Sequence, residues 1–254
     1  MGPLIRTQTI RNALRGLRIT VDLRIRKRPI ADITRYERRF SSQNGEDGIL
    51  EAIFTAIGTT RKYFVEFGAA SGRECNTARL AKRYGWTGLL MDAATPPPDP
   101  PIPIRQEFIT ADNINGLFEK YNVPPAFDLL SIDIDGNDYW VWKSIAAYRP
   151  RVVVIEYNAS VRPTESSVMP YDPNFRWSGT DYFGASLLAL AKLGATKGYT
   201  LVGCDSSGTN AFFVDAAEAQ GRFVPHSVGE LYRPPNYKKI KRHPHDPDRT
   251  LTPI

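Results

Sequence analysis

Asp133 and Asp135 close the run Phe127-Asp-Leu-Leu-Ser-Ile-Asp-Ile-Asp135, and Glu156 and Asn158 close Arg151-Val-Val-Val-Ile-Glu-Tyr-Asn158. Short, nearly continuous apolar runs of this kind read as buried strands of a parallel sheet. Two residues apart on a strand, Asp133 and Asp135 face the same way. Like charges held side by side are unfavourable unless a cation, a proton or a basic substrate lies between them. If the two strands are neighbours, all four polar side chains converge on one rim of the sheet. There a carboxylate can take a proton, or give an oxygen to a Mg²⁺-like ion. Asp133, Asp135 and Glu156 are therefore the candidate catalytic residues, and the same three are the candidate metal ligands.

A second constellation lies upstream. Tyr63-Phe-Val-Glu66-Phe-Gly68-Ala-Ala70-Ser71-Gly72 reads as a strand entering a turn of small residues, and Gly88-Leu-Leu-Met-Asp92 as a strand tipped by an acid. A bare backbone beside one strand and a carboxylate at the end of the next suit an adenosine-containing ligand. The glycines are spaced G-x-x-x-G, whereas a dinucleotide site uses G-x-G-x-x-G to hold a pyrophosphate. Glu66 repels a pyrophosphate but suits the positive sulfonium and ammonium of S-adenosylmethionine. Asp92 is placed to accept from ribose hydroxyls, and Asp112, at the end of an expected third strand over 108–113, to meet an adenine amino group. Gln43, in a polar stretch before a helix, either serves cap chemistry or folds over the methionine end. With Asn76 and Asp133, the candidate cofactor contacts are Gln43, Glu66, Gly68, Ala70, Ser71, Gly72, Asn76, Asp92, Asp112 and Asp133.

These residues need a scaffold, and the chain has enough length for one: 254 residues with 42% hydrophobic and 24% charged content suit one soluble α/β domain with extensions. Helices are expected after Gly45, over 76–84 and over 186–193, while Pro96–Pro101 enforces an extended link. Residues 159–183 form a long loop at the same rim; Tyr171, Arg176, Trp177 and Tyr182 suit stacking on a sugar or other polar substrate, with Asn137 and Asn158 beside them. Gly198–Cys204 and Asn210–Asp215 flank Ser206-Ser-Gly-Thr209 as a hairpin. The fold class expected is a Rossmann-like, doubly wound sheet, mostly parallel and ending in an antiparallel hairpin, the layout of class I methyltransferases.

The net charge of +6 resides at the ends: residues 1–30 carry eight basic residues against Asp22, and residues 221–254 carry seven against three acidic ones. The boundaries expected are a basic arm at 1–39, a catalytic domain at 40–220 and a basic, proline-rich tail at 221–254 that wraps the surface or stays partly disordered. Within the arm, Leu4, Ile10, Leu14, Leu17 and Val21 fall at helical spacing. Such a helix packs on the domain or on a second subunit, giving a homo-oligomer; the other reading lays it on an anionic membrane or a polyanion. His226, His243 and His245 all lie in the tail and read as solvated surface residues. Two cysteines form no disulfide framework and suit a reducing compartment. No run of about 18 apolar residues and no secretory leader is visible, so the expected location is the cytoplasm, with peripheral membrane attachment through the arm.

Together, Ser42-Gln-Asn-Gly-Glu-Asp47, Phe64-Val-Glu-Phe-Gly-Ala-Ala-Ser-Gly72, Asn76-Thr77, Gly85-Trp-Thr-Gly-Leu-Leu90, Ser131-Ile-Asp-Ile-Asp-Gly-Asn-Asp138 and Val154-Ile-Glu-Tyr-Asn158 resemble the FkbM-type methyltransferases over residues 40–215. The resemblance implies S-adenosylmethionine-dependent O-methylation, frequently of a sugar hydroxyl on a glycan, glycolipid or secondary metabolite. This chain has Asp135 where the common family pattern has Glu. Two other functions stay open on the residues alone: a nucleic-acid methyltransferase, favoured by the basic ends and disfavoured by the acidic middle, and a non-catalytic S-adenosylmethionine-binding module. A nicotinamide oxidoreductase is disfavoured by the glycine spacing.

Overall fold

The computed structural model describes residues 28–100, 102–237 and 240–254. The amphipathic segment expected at 4–21 lies outside them.

Seven strands form one sheet in the order β3-β2-β1-β4-β5-β8-β7. They are β1 (Tyr63–Phe67), β2 (Thr87–Asp92), β3 (Ile104–Gln106), β4 (Ala126–Ile132), β5 (Arg149–Glu156), β7 (Tyr199–Cys204) and β8 (Asn210–Asp215). Pairing is parallel from β3 through to β5, and β8 runs antiparallel to both β5 and β7. This is the expected class I methyltransferase layout, down to the closing hairpin.

Alternate residues of each strand enter opposite faces, and helices cover both. Val65 and Phe67 join Phe118, Trp142 and Phe213 under α3 (Ile114–Lys120), α4 (Asp138–Ser144) and α5 (Leu187–Thr196). Phe64, Leu90, Leu129, Val152 and Val154 pack on Ile49, Ile53 and Phe54 of α1 (Glu46–Ile57), beside α2 (Ala78–Tyr84). Ile30 and Ile33, within the stretch read as an arm, are buried in this second core, and Ile30 bridges Phe223 of the tail. Among the described residues no helix is long and apolar enough to cross a membrane.

One buried charge holds the sheet edge opposite the rim. Asp128 in β4 has no exposed surface; it accepts from the backbone N–H groups of Thr60, Arg61 and Lys62 and pairs with Arg151 Nη1 at 2.9 Å. Burial alone would raise its pKa, but Arg151 and these donors hold it below the usual carboxylate range. Arg151 also donates to Ile57 O and Gly58 O, tying α1 to β5.

The third strand departs from expectation. Residues 108–113 are not extended, because Thr110 and Asn113 bond reciprocally (Thr110 N to Asn113 Oδ1 at 2.9 Å, Asn113 N to Thr110 Oγ1 at 3.2 Å) and start α3 instead. β3 lies earlier, paired with β2 through Leu90–Ile104 and Asp92–Gln106. The described residues of the tail run along the rim and are tied to it. Tyr157 Oη donates to Arg233 O, Asn236 N to Ser207 O and Asp181 N to Pro244 O. Thr252–Pro253 (β9) then pairs with Ser167–Val168 (β6) inside the long loop.

Candidate functional site

At the carboxyl edge of the sheet, Asp92 ends β2, Asp133 follows β4 and Glu156 ends β5. The register pairs Ile132 with Ile155, so Asp133 and Glu156 stand side by side. Asp135 joins them by a route the strand pleat does not predict: β4 ends at Ile132, and Asp135 takes a left-handed φ of 57° that returns its carboxylate toward the others. Asp138, buried at the start of α4, forces this bend by accepting from Ile134 N and Gly136 N, both at 2.9 Å. One carboxylate oxygen from each of Asp133, Asp135 and Glu156 lies within 4.8 Å of the other two.

Crowding of acids sets the electrostatics. Burial, then the charges of Asp135, Asp138, Glu66 and Glu46, push Asp133 well above the ordinary carboxylate range. Burial, then Asp133, Asp138 and Asp135, do the same to Glu156. Burial and the nearby Asp92 raise Asp135, with His243 opposing. Glu156 Oε2 is buried with no hydrogen-bond partner.

Beside the triad is a cavity of about 190 Å³ lined by Gly68, Asp92, Ala93, residues 107–109, Asp133, Ile134, Asp135, Asn137 and residues 175–177. Gly68 is obligatory there, because a Cβ on it would fall 1.6 Å from the carbonyl oxygen of Asp133; the two strand ends meet backbone to backbone. Asp92 accepts from Ala70 N and Ala94 N, both at 2.7 Å, which aims it at the cavity floor. The 170–177 segment is the roof. Asn137 Nδ2 donates to Asp172 O at 2.7 Å, Trp140 Nε1 donates to Met169 O, and Phe175 lies over Gly136, where a Cβ would come within 2.4 Å of its ring. The Arg176 guanidinium sits 3.9 Å from the centre of the Phe108 ring and closes one side.

The sequence-predicted residues divide. Gly68, Asp92, Asp133, Asp135, Asn137, Arg176 and Trp177 line the cavity, and Glu156 completes the triad. Glu66 does not reach it: its carboxylate accepts from Asn76 N at 2.8 Å, Thr77 N at 3.1 Å and Thr77 Oγ1 at 2.5 Å, which fastens the β1–α2 loop. Asn76 is buried and donates to Ser131 Oγ. Asp112 accepts the Tyr171 hydroxyl at 2.5 Å, so both are spent on holding the roof. Asn158 is wholly buried and donates to Asp181 O and Phe183 O, a loop-fixing role rather than a substrate contact. Tyr182 carries Arg249 over its ring and lines a separate cavity of about 680 Å³ under the tail. Ala70, Ser71 and Gly72 form the turn behind Gly68, with Gly72 N donating to Ala69 O, and Gln43 is exposed in the bend before α1. None of these four lines the cavity.

The structure adds residues from the tail. His243 is ringed by Trp177 (centroids 4.7 Å, edge-on), Phe183 (5.8 Å, edge-on) and Tyr237 (4.6 Å, tilted 31°). It is not the solvated residue the sequence suggests. No sequence signal marks it, since a histidine among prolines carries no periodicity.

No family model matches the chain, and no curated protein matches it. Among solved structures, the CMeT domain of a citrinin polyketide synthase is similar over 67% of this chain and 51% of that one, at 10% identity and a TM-score of 0.34. The chain thus spans about half the length of that structure. So distant a likeness carries no functional information; the fold class stands on the strand order itself.

Proposed function

We propose that the chain is an S-adenosylmethionine-dependent O-methyltransferase of the FkbM type, acting on a hydroxyl of a sugar in a glycan, glycolipid or secondary metabolite. The observation that carries this reading is the set of acid-tipped strands β2, β4 and β5 around one cavity at the carboxyl edge of a sheet closed by an antiparallel hairpin. Ligands of open α/β sheets bind at that edge. Asp92 is the group to hold ribose hydroxyls, and the Gly68 backbone permits close approach to the adenosine. Asp133 and Asp135 give the cavity the negative field that a sulfonium needs. When bound, S-adenosylmethionine supplies an electrophilic methyl carbon. Arg176 and Trp177 are the acceptor-facing groups, and Asn137 holds the roof segment beside them; in-line placement of the hydroxyl contributes much of the rate in such a transfer.

The triad also fits a divalent cation. Hard cations of Mg²⁺ size hold oxygens at about 2.1 Å, so ligand oxygens lie roughly 3–4 Å from one another. Oxygens within 4.8 Å of one another need only a small side-chain adjustment to reach those separations, and the orphaned Glu156 Oε2 supplies a free ligand atom. Asp133, Asp135 and Glu156 would hold the ion, which would acidify and orient the acceptor hydroxyl. The basic arm remains a proposal for contact with an anionic membrane or a second subunit.

Calorimetric titration with S-adenosylhomocysteine and, separately, with NADH tests the donor. Micromolar binding of the first alone is expected, weakened about 10- to 100-fold in Asp92→Ala by loss of charged hydrogen bonds worth about 1.5–3 kcal/mol. Absence of binding by wild type would refute the reading. Retention of transfer activity after exhaustive chelation would refute the cation.

A further inference from the structure

Transfer to a hydroxyl needs a group that removes its proton, and the triad is ill suited to supply it. Three carboxylates within 4.8 Å of one another repel, and a shared proton or a cation that relieves the repulsion, while leaving the cluster net negative, engages the oxygens a base would use. Among the three histidines, His226 bonds Ala31 O at 2.9 Å beside residues 30–32, and His245 is mostly exposed and bonds Asp181 at 3.0 Å. His243 differs from both. Its aromatic cage includes Trp177, which also lines the cavity with Asp133 and Asp135, and the charge of Asp135 acts on the imidazole. Among the described residues no hydrogen bond engages either ring nitrogen.

The chain on both sides of His243 is pinned. Before it, Arg233 O accepts from Tyr157 Oη, and Pro234 lies against Gly208 so closely that a Cβ there would come within 2.6 Å of Pro234 O. After it, Pro244 O accepts from Asp181 N, Asp246 N donates to Asp181 Oδ1 at 2.8 Å and Arg249 Nη2 donates to Ser178 Oγ at 2.8 Å. A surface histidine needs none of this; a base held in place by its neighbours does. Burial in the cage lowers the imidazole pKa, opposed by Asp135 and Asp181, which favours the neutral, proton-accepting form.

We propose that His243, brought over the rim by the tail, is the general base of the transfer. The inference rests on the methyltransferase reading above. The acceptor O–H bond breaks with its proton passing to an imidazole nitrogen. The oxygen bonds the methyl carbon, and the C–S electron pair moves to sulfur. The products are a methyl ether, a neutral thioether and an imidazolium that returns its proton to water.

Two measurements on the full chain decide it. In radiolabelled methyl transfer to a panel of simple methyl glycosides, His243→Gln should lower kcat about 100-fold, the order expected for a general base, with KM and S-adenosylhomocysteine affinity unchanged. Added imidazole should restore His243→Ala. A His243→Gln variant within threefold of wild type overturns the proposal. If no glycoside is methylated, histidine-selective ¹⁵N NMR decides: saturating S-adenosylhomocysteine should shift the His243 ring signals and leave those of His226 in place. Binding by calorimetry with an unmoved His243 refutes this inference and spares the donor reading. Absence of binding refutes both.

Discussion

Replacing Glu156 by Gln should make the metal-free protein more stable, and only where the carboxylates are ionised. Asp133 and Glu156 are both half-buried, with oxygens no farther apart than 4.8 Å. At an effective dielectric of about 20, two unit charges at that distance repel by about 3 kcal/mol. Asp135 keeps more of its surface in solvent than the other two, which screens it, so it is left out of this figure. The sign follows from the pKa directions. Burial and repulsion raise both groups above their unfolded values, so the folded state retains protons that the unfolded state releases. Their contribution to stability is therefore fully present below about pH 4 and declines as pH rises from the unfolded carboxylate pKa through the folded one. In EDTA at low salt and pH 8, Glu156→Gln should raise Tm by about 6–12 °C, taking about 2–4 °C per kcal/mol for a domain of this size. At pH 5 the gain should nearly vanish. Mg²⁺ or Mn²⁺ should stabilise the wild type at pH 8 and have far less effect on the variant. Scanning calorimetry at the two pH values, with and without the ion, reads all of this. Equal loss of stability at both pH values would mean that Glu156 is held by attraction and not burdened by repulsion.

Two other outcomes follow from named contacts. Asp128→Asn removes a buried carboxylate charge that accepts from three backbone N–H groups and Arg151, while Arg151 keeps its pair with Glu218 at 2.9 Å, so urea unfolding should show a loss of about 1.5–3 kcal/mol. Because Asp128 is held below its unfolded pKa, its contribution is present above about pH 4 and fades as pH falls through the folded value, so wild type and variant should converge in acid. Arg176→Ala removes the stack on Phe108, worth about 0.5–1 kcal/mol at an exposed site. Stopped-flow measurement of S-adenosylhomocysteine binding should then show faster association and dissociation with little change in Tm. The cavity of about 190 Å³ is smaller than the roughly 300 Å³ at which ligand pockets begin, so the roof must part for a nucleoside to enter; unchanged rates would place the barrier elsewhere.

Much of the scaffold is written in local pattern. Apolar runs longer than a turn fix β1, β2, β4 and β5, and the Ser-Ser-Gly-Thr turn fixes the β7–β8 hairpin, because alternation and turn chemistry are properties of neighbours in sequence. Asp133 and Glu156 were legible for the same reason, standing at the ends of strands whose adjacency the parallel fold implies; Asp135 joins them only through the left-handed bend after β4, which alternation does not reveal. Illegible were contacts made across the chain. Glu66 and Asp92 occupy like positions at strand ends, but Glu66 meets the N–H groups of Asn76 and Thr77 while Asp92 opens to the cavity. The short β3 was misplaced because a reciprocal Thr110–Asn113 cap outweighed the apolar character of 108–109. Asp128 is one polar residue in an apolar strand, and nothing in the local pattern marks Arg151 as its partner. His243 reaches the rim only because the tail is fastened at several distant points.

A cavity floored by Asp92, Asp133 and Asp135 sorts molecules by charge before it sorts them by shape. Under the proposed reaction, a cationic donor is drawn toward that field, whereas the neutral thioether left after transfer feels no such pull. The same carboxylates that burden the fold would therefore favour fresh donor over spent product, and the preference should shrink as salt screens the rim. Turnover in such a site is helped along by the chemistry itself, because the reaction removes the charge that held the donor in place.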